Sequence, residues 1–294
     1  MNTWHPQPWP KIFAFFILFA LIFSSFIVCL VACNAKKPGS YSSPPGYDFG
    51  KPYDYKLPPA LDEISGVVYY PKDSSIFAIE DEKGWLYKIH LKIPLHIERW
   101  KFSSGADYED LALVDSNFYV LKSKGVIEKF KFFLGDSISI QSYKLTEEGK
   151  NEFESLFYDS TQNRLVLVCK NCAGNQKKEV SSWAFDPSND SFFPSFTIQT
   201  AKIKEQLNEE LKFKPSAAAI HPITGELYIL ASVNNALVIL NKDHTVKNSY
   251  KIDPALFKQP EGLAFTPKGD LIISNEAAEK GAADILLFKY NKLK

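Results

Sequence analysis

The sequence has no surplus of charge: Lys and Arg together number 34, Asp and Glu together number 34, and the formal net charge is zero. A nucleic-acid binder normally carries a basic excess or stripe, so the balance argues against that class. Methionine occurs once, at the start, and there are only four cysteines. Two of these, Cys169 and Cys172, form a Cys-x-x-Cys pair. No second such pair and no His-x-x-x-His spacing accompanies them, so structural zinc is not expected. A local disulfide, two inert thiols or a redox centre all remain open for the pair. Aromatic residues, by contrast, are plentiful, with 23 Phe and 14 Tyr, side chains that favour strands.

One long hydrophobic run is present. Ile12 to Ala32 reads IFAFFILFALIFSSFIVCLVA, without a charge. At about 1.5 Å per helical residue it could cross a hydrocarbon layer of roughly 30 Å. Its end, Leu30-Val31-Ala32-Cys33, resembles the lipobox of bacterial lipoprotein signals, in which the cysteine is lipid-modified and becomes the new N-terminus. The expectation is a signal peptide over 1–32, a lipidated Cys33 and a linker over 33–50 rich in Pro, Gly, Ser and Tyr. An uncleaved membrane anchor is the alternative, since Lys11 is the only firm positive charge before the run. Either reading places the rest of the chain outside the cytoplasm, in the cell envelope on the periplasmic side and held to the membrane through Cys33. Asn34, which is not the aspartate associated with inner-membrane retention, favours the outer membrane.

Residues 51–294 read as one all-β domain built on a repeat. Five tetrads open similar segments: Ile64-Ser65-Gly66-Val67, Tyr108-Glu109-Asp110-Leu111, Phe153-Glu154-Ser155-Leu156, Pro215-Ser216-Ala217-Ala218 and Pro260-Glu261-Gly262-Leu263. Their second residues stand at 65, 109, 154, 216 and 261, so the steps are 44, 45, 62 and 45. Steps near 45 match a four-stranded propeller blade. The long step is expected to hold a short helical insertion near 201–212, AKIKEQLNEELK, which has strong helix formers and neither Gly nor Pro. The last unit has room for only three strands after its tetrad. A fourth is expected from the other end of the domain, Tyr53–Leu57, closing the ring and removing exposed edges. The expectation is therefore a β-propeller of five blades of about four strands, with six as the alternative.

First strands of blades line a propeller's axis, so the tetrads should meet there, bringing Glu109, Glu154 and Glu261 to one register. More polar groups follow at the far end of the second strands: Glu80, Asn275 and Glu276. Carboxylates gathered in one channel repel each other unless protons, cationic partners or a metal intervene. Oxygen donors without a His or Cys cluster suit a hard cation such as Ca²⁺. The same acids could equally be structural, capping strands or pairing with Lys and Arg.

The succession Glu63-Ile-Ser-Gly66, Ile79-Glu-Asp-Glu-Lys-Gly84, Tyr108-Glu-Asp-Leu-Ala112, Lys214-Pro-Ser-Ala217, His221-Pro-Ile-Thr-Gly225 and Gln259-Pro-Glu-Gly-Leu263 resembles the SdiA-regulated protein family, over roughly residues 60 to 290. The resemblance implies a five-bladed propeller, distantly similar to the NHL-repeat propellers, with a calcium site. It implies no established biochemical activity. Ligands carry over best at Glu109, Glu154 and Glu261, because Ser65 and Ser216 stand where the other tetrads have Glu. Three functions follow as expectations. The first is a calcium-dependent binding module for a peptide, glycan or envelope protein. The second is a calcium-dependent hydrolase of the lactonase, esterase or phytase kind. The third is a passive scaffold. Neither Ser65 nor Ser216 has a recognisable nucleophile elbow, and His221 reads as a turn residue rather than a base.

Overall fold

In a computed structural model of the protein, residues 41–131, 138–173, 178–278 and 281–292 are described. The apolar run, Cys33 and the first part of the expected linker lie outside the described residues. Among the described residues no helix is long and apolar enough to cross a membrane.

Among the described residues twenty strands form five four-stranded antiparallel sheets, four of them simple meanders. Blade 1 contains β2 (Ile64–Tyr70), β3 (Ser75–Glu80), β4 (Trp85–His90) and β5 (His96–Lys101). Blade 2 contains β6 (Tyr108–Val114), β7 (Asn117–Lys122), β8 (Val126–Lys131) and β9 (Gln141–Lys144). Blade 3 is longer, with β10 (Asn151–Asp159), β11 (Arg164–Cys172), β12 (Glu179–Asp186) and β13 (Ser191–Gln199). Blade 4 contains β14 (Ala217–Ile220), β15 (Leu227–Ala231), β16 (Ala236–Leu240) and β17 (Val246–Lys251). Blade 5 contains β18 (Pro260–Phe265), β19 (Leu271–Asn275), β20 (Asp284–Phe288) and, as its outer strand, β1 (Tyr53–Lys56). The five-bladed expectation holds and the six-bladed alternative does not. Ring closure is the strand swap read from the sequence, with Tyr53 paired to Leu287 and Lys56 to Asp284.

The sequence forms blades because its middle strands are continuous apolar runs. β15 (LYILA) and β16 (ALVIL) are buried at every position. Such runs suit a sheet covered on both faces, here by the neighbouring blades. Outer strands such as β5 (HIERWK) are half-exposed and polar. Between blades 1 and 2 the rings of Phe77 and Phe118 meet edge to face at 4.8 Å, and those of Phe102 and Phe130 stack at 4.9 Å. Burying a side chain of this size stabilises by roughly 2–3 kcal/mol.

The helix α1 (Ala201–Leu207) is shorter than expected and lies in the connection from β13 to β14, between blades 3 and 4. Asn208, at φ +50°, adopts the left-handed conformation and ends it. Residues 41–50, expected as linker, contain no strand or helix but bury Tyr47 and Phe49 against blades 4 and 5. The Tyr47 hydroxyl donates to the Gly269 carbonyl at 2.6 Å, and Asn291 N–H donates to the Gly46 carbonyl at 2.8 Å.

The five first strands, β2, β6, β10, β14 and β18, pack on one another in a closed ring. All run the same way, giving the propeller a tetrad face, where they begin, and a far face, where they end in the turns to the second strands.

Candidate functional site

The glutamates of the tetrads are bulge residues. In β6, Tyr108 pairs with Lys122 and Asp110 with Leu121, so Glu109 is an extra residue with no partner across the ladder. In β10, Phe153 pairs with Cys169 and Ser155 with Val168, leaving Glu154 extra. In β18, Pro260 pairs with Asn275 and Gly262 with Ser274, leaving Glu261 extra. Blade 1 has the same irregularity at Ser65 and Gly66. A bulge bends its strand and re-aims the inserted side chain. Repeated around the axis, it presents a set of carboxyls at the tetrad face.

The electrostatics show that these acids share one environment. Burial, then the Asp107 charge, pushes the Glu109 carboxyl up to about 8, with Glu261 and Glu152 adding to the rise and Lys170 opposing it. Burial raises Glu261 to about 7, against the Lys170 charge and a hydrogen bond with Ser232. Glu276 rises to about 8 through burial and the charges of Glu261, Glu63, Asp81 and Glu109. Asp81 rises to about 6 through burial and the neighbouring Glu63, Glu82 and Glu80. The common cation is Lys170. It forms an ion pair with Glu154 and stands 4.0 Å from Glu152. Lys170 is itself an extra residue in β11, since Glu152 pairs with Asn171 and Phe153 with Cys169. Cys169 and Cys172, joined as a disulfide, bracket it. Glu154 is buried, and its Oε2 has no hydrogen-bond partner; nor does Asp81 Oδ1.

Of the six residues expected as metal ligands, Glu109, Glu261 and Glu276 are brought into one electrostatic cluster, and Glu154 lies beside it on Lys170. Glu80 and Asn275 are committed elsewhere. The Glu80 carboxylate accepts the backbone N–H of Lys83 at 2.7 Å and of Glu82 at 3.3 Å, holding the turn into β4. Asn275 is fully buried and donates to Asp284 Oδ1 at 2.7 Å. Asp81 and Lys170 belong to the cluster and were not singled out from the sequence. Asp81 lay unseparated within Glu80-Asp81-Glu82, and Lys170 inside the Cys-x-x-Cys pair was the available sign.

The expected Ca²⁺ has no formed site among the described residues. Among the described residues no three His, Cys, Asp or Glu side chains converge as a metal-binding group. Ca²⁺ takes six to eight oxygens, whereas one Glu154 oxygen is already held by the Lys170 ammonium.

His221 is a turn residue. It lies at the end of β14 on the far face, fully buried, and its Nδ1 accepts the N–H groups of Ile223 at 3.2 Å and Thr224 at 3.1 Å. Burial lowers its pKa, keeping the ring neutral.

A five-bladed propeller with an acidic axial mouth is thus the class that fold and site define. The SdiA-regulated family model matches residues 51–279, and the chain belongs to that family. No curated protein matches the sequence significantly. Among solved structures it is similar to glutaminyl cyclase of Myxococcus xanthus, at 14% identity and a TM-score of 0.55 over 82% of this chain and 96% of that one. It is also similar to a luciferin-regenerating enzyme, at 12% identity and a TM-score of 0.50 over 83% and 97%. Likeness at this identity shows the fold alone.

Proposed function

We propose that the protein is an envelope-anchored binding propeller whose mouth at the tetrad face takes a positively charged group of a peptide or protein. The observation that carries this reading is the imbalance at the mouth. Burial raises Glu109, Glu261, Glu276 and Asp81, neighbouring carboxylates add to the rise at Glu109, Glu276 and Asp81, and the Lys170 charge opposes it at Glu109 and Glu261. An ammonium or guanidinium group placed among them would restore their ionised forms and gain charge-assisted hydrogen bonds. One oxygen each of Glu154 and Asp81 is buried without a hydrogen-bond partner, leaving acceptor capacity unmet beside the mouth. Cys33 supplies the anchor in this reading.

The test is calorimetry on the soluble domain with spermidine and, separately, CaCl2, in two buffers of different ionisation enthalpy. Spermidine should bind with proton release near pH 7, and E109Q and E261Q should each weaken it roughly 10-fold or more, about what a lost charge-assisted bond is worth. Absence of spermidine binding would sink the proposal. Tight Ca²⁺ binding with a rise in melting temperature would return the site to the metal-binding reading.

A second reading has one observation in its favour. Carboxyls raised to about 8, as at Glu109 and Glu276, suit general acid–base work. Turnover of lactones, aryl esters or phosphomonoesters, lost in E109Q, would move the protein into the hydrolase class.

A further inference from the structure

The far face differs from the tetrad face in its chemistry. There the axial channel ends in a cavity of about 350 Å³ lined by all five first strands and the turns that follow them, including Tyr69, Leu113, Tyr158, Ile220 and Phe265, without one charged residue. A groove between blades 5 and 1 shares Tyr69, Thr266 and Pro267 with that cavity and continues outward to Tyr53 and Leu91, with Lys268, Asp270 and Lys289 at its edge. Four large hydrophobic side chains are exposed among the described residues: Ile93 at 87%, Val233 at 61%, Tyr53 at 55% and Ile223 at 44%. Three of them are on the far face. Ile93 is in the turn from β4 to β5, Ile223 is in the turn from β14 to β15, and Tyr53 begins β1. Ile223 joins the same patch, because its Cδ1 lies 3.1 Å from where a side chain on Gly269 would begin.

The chain enters the propeller at this face. Gly46 and Tyr47 are fastened to Asn291 and Gly269, and the Tyr47 ring lies against His221 and Tyr290. Cys33, which closes the apolar run, precedes the first described residue, Tyr41, by 41 − 33 = 8 residues. Eight residues span at most about 28 Å. A membrane that receives Cys33 therefore lies within about 28 Å of Tyr41 along the chain.

We propose that the far face is apposed to the lipid bilayer, with Ile93, Ile223 and Tyr53 entering its interfacial region and the apolar end of the axial channel opening onto it. The proposal rests on the anchored reading of Cys33. Tyrosine and aliphatic side chains partition favourably into the interface, and a shallow apolar surface adds to the hold of a lipid anchor. The acidic mouth then points away from the membrane, free for its ligand.

The experiment uses the full chain in vesicles containing a brominated lipid. Single tryptophans are added as I93W, I223W and V233W, and the emission each contributes is compared with that in unbrominated vesicles. Quenching at positions 93 and 223 and none at 233, on the tetrad face, is the expected result. No quenching at 93 and 223, or equal quenching at all three, overturns the proposal. So does capture of one protein by a photo-crosslinker at position 93 in native membranes without lipid quenching, which would give the face to a protein partner. Residues 41–294 contain every strand of the closed ring, so this fragment serves as a second arm without Cys33. If the full chain fractionates as soluble yet the fragment co-sediments with phosphatidylcholine vesicles, and I93D with I223D abolishes this, the anchored reading has failed and the surface stands. If the full chain is anchored and position 93 is unquenched, the surface has failed and the anchor stands.

Discussion

Leu156 donates its backbone N–H to Oδ2 of Asp110 at 2.8 Å, across the boundary between blades 2 and 3, while Oδ1 of the same carboxyl accepts the N–H of Leu111 at 2.8 Å. A first strand is the inner edge of its blade, so its outward N–H groups need partners from elsewhere. Asp110 supplies one, and similar links recur around the ring. Ser216 Oγ donates to the Pro260 carbonyl at 2.8 Å, and Ser274 Oγ donates to the Ser65 carbonyl at 2.9 Å. The tetrads therefore hold neighbouring blades together in addition to bearing the acids.

Removing the Asp110 carboxyl should loosen the ring. Burial raises its pKa well above the usual range, yet both oxygens still accept N–H bonds. D110N places an amide donor against one of those donors, and a loss of about 1–3 kcal/mol is expected from urea unfolding. Gly66 is the complementary part. A Cβ there would lie 2.6 Å from Asp110 Cα and 2.8 Å from Leu111 N. Because these are backbone atoms, D110A should not rescue G66A. Recovery of stability in the double variant would show that side-chain crowding alone excludes other residues.

Much of the fold was legible because it repeats. Four-strand units spaced by about 45 residues fixed blade number, and the three-strand remainder after Glu261 required a closing strand, found at Tyr53–Lys56. The site was less legible. Whether Glu109 lies in the ladder or is extruded from it depends on the register of β7, which has no local signal. Glu80 and Asp81 are adjacent acids that strand alternation sends opposite ways, one to a turn and one to the mouth. Lys170 shows its role only once Cys169 and Cys172 are seen to flank a bulge. The helix stopped short because Asn208 could adopt a left-handed conformation, which composition alone does not require.

The acidic mouth should make the domain more stable below neutrality than above it. Carboxyls whose folded pKa is raised bind protons more tightly in the native state than unfolded. Between about pH 4.5 and 8 the native state holds the excess of protons, so stability falls as pH rises through that window. Thermal melts at pH 6 and 8 should show the lower Tm at pH 8. E109Q and E276Q should each flatten the difference, and an unchanged slope in both would mean that these carboxyls titrate normally.

Lys170 should be the most sensitive position of the mouth. Its ammonium is the partner of buried Glu154 and opposes the rise at Glu109 and Glu261. K170M leaves Glu154 buried beside no cation, a loss of about 2–4 kcal/mol given that the pair is only partly covered. The double variant K170M/E154Q should recover most of it, because no unpaired buried charge remains. Carboxyl titration by NMR should show Glu109 and Glu261 rising further in K170M. If neither moves, Lys170 does not face the acids.

His221 should set the opposite, acidic limit of stability. Its Nδ1 accepts two backbone N–H groups, so the ring proton sits on Nε2, which has no hydrogen-bond partner and is enclosed by Tyr47, Phe265 and Tyr290. Protonating Nδ1 would break both turn bonds and bury a charge among aromatic rings. The folded pKa is lowered by burial, so the unfolded chain takes up the proton first and stability falls as pH drops below about 6.5. An Asn side chain can accept the same N–H groups in an Asx turn, whereas Ala cannot. H221A should therefore cost about 2–4 kcal/mol through the lost turn bonds and the cavity, and H221N distinctly less. Both should remove the acid-side loss between pH 6.5 and 5 that the parent shows. If the mouth carboxyls outweigh His221, the parent Tm rises without break down to pH 5 and H221N steepens that rise; a profile that H221N leaves unchanged would mean that His221 contributes no acid-side loss.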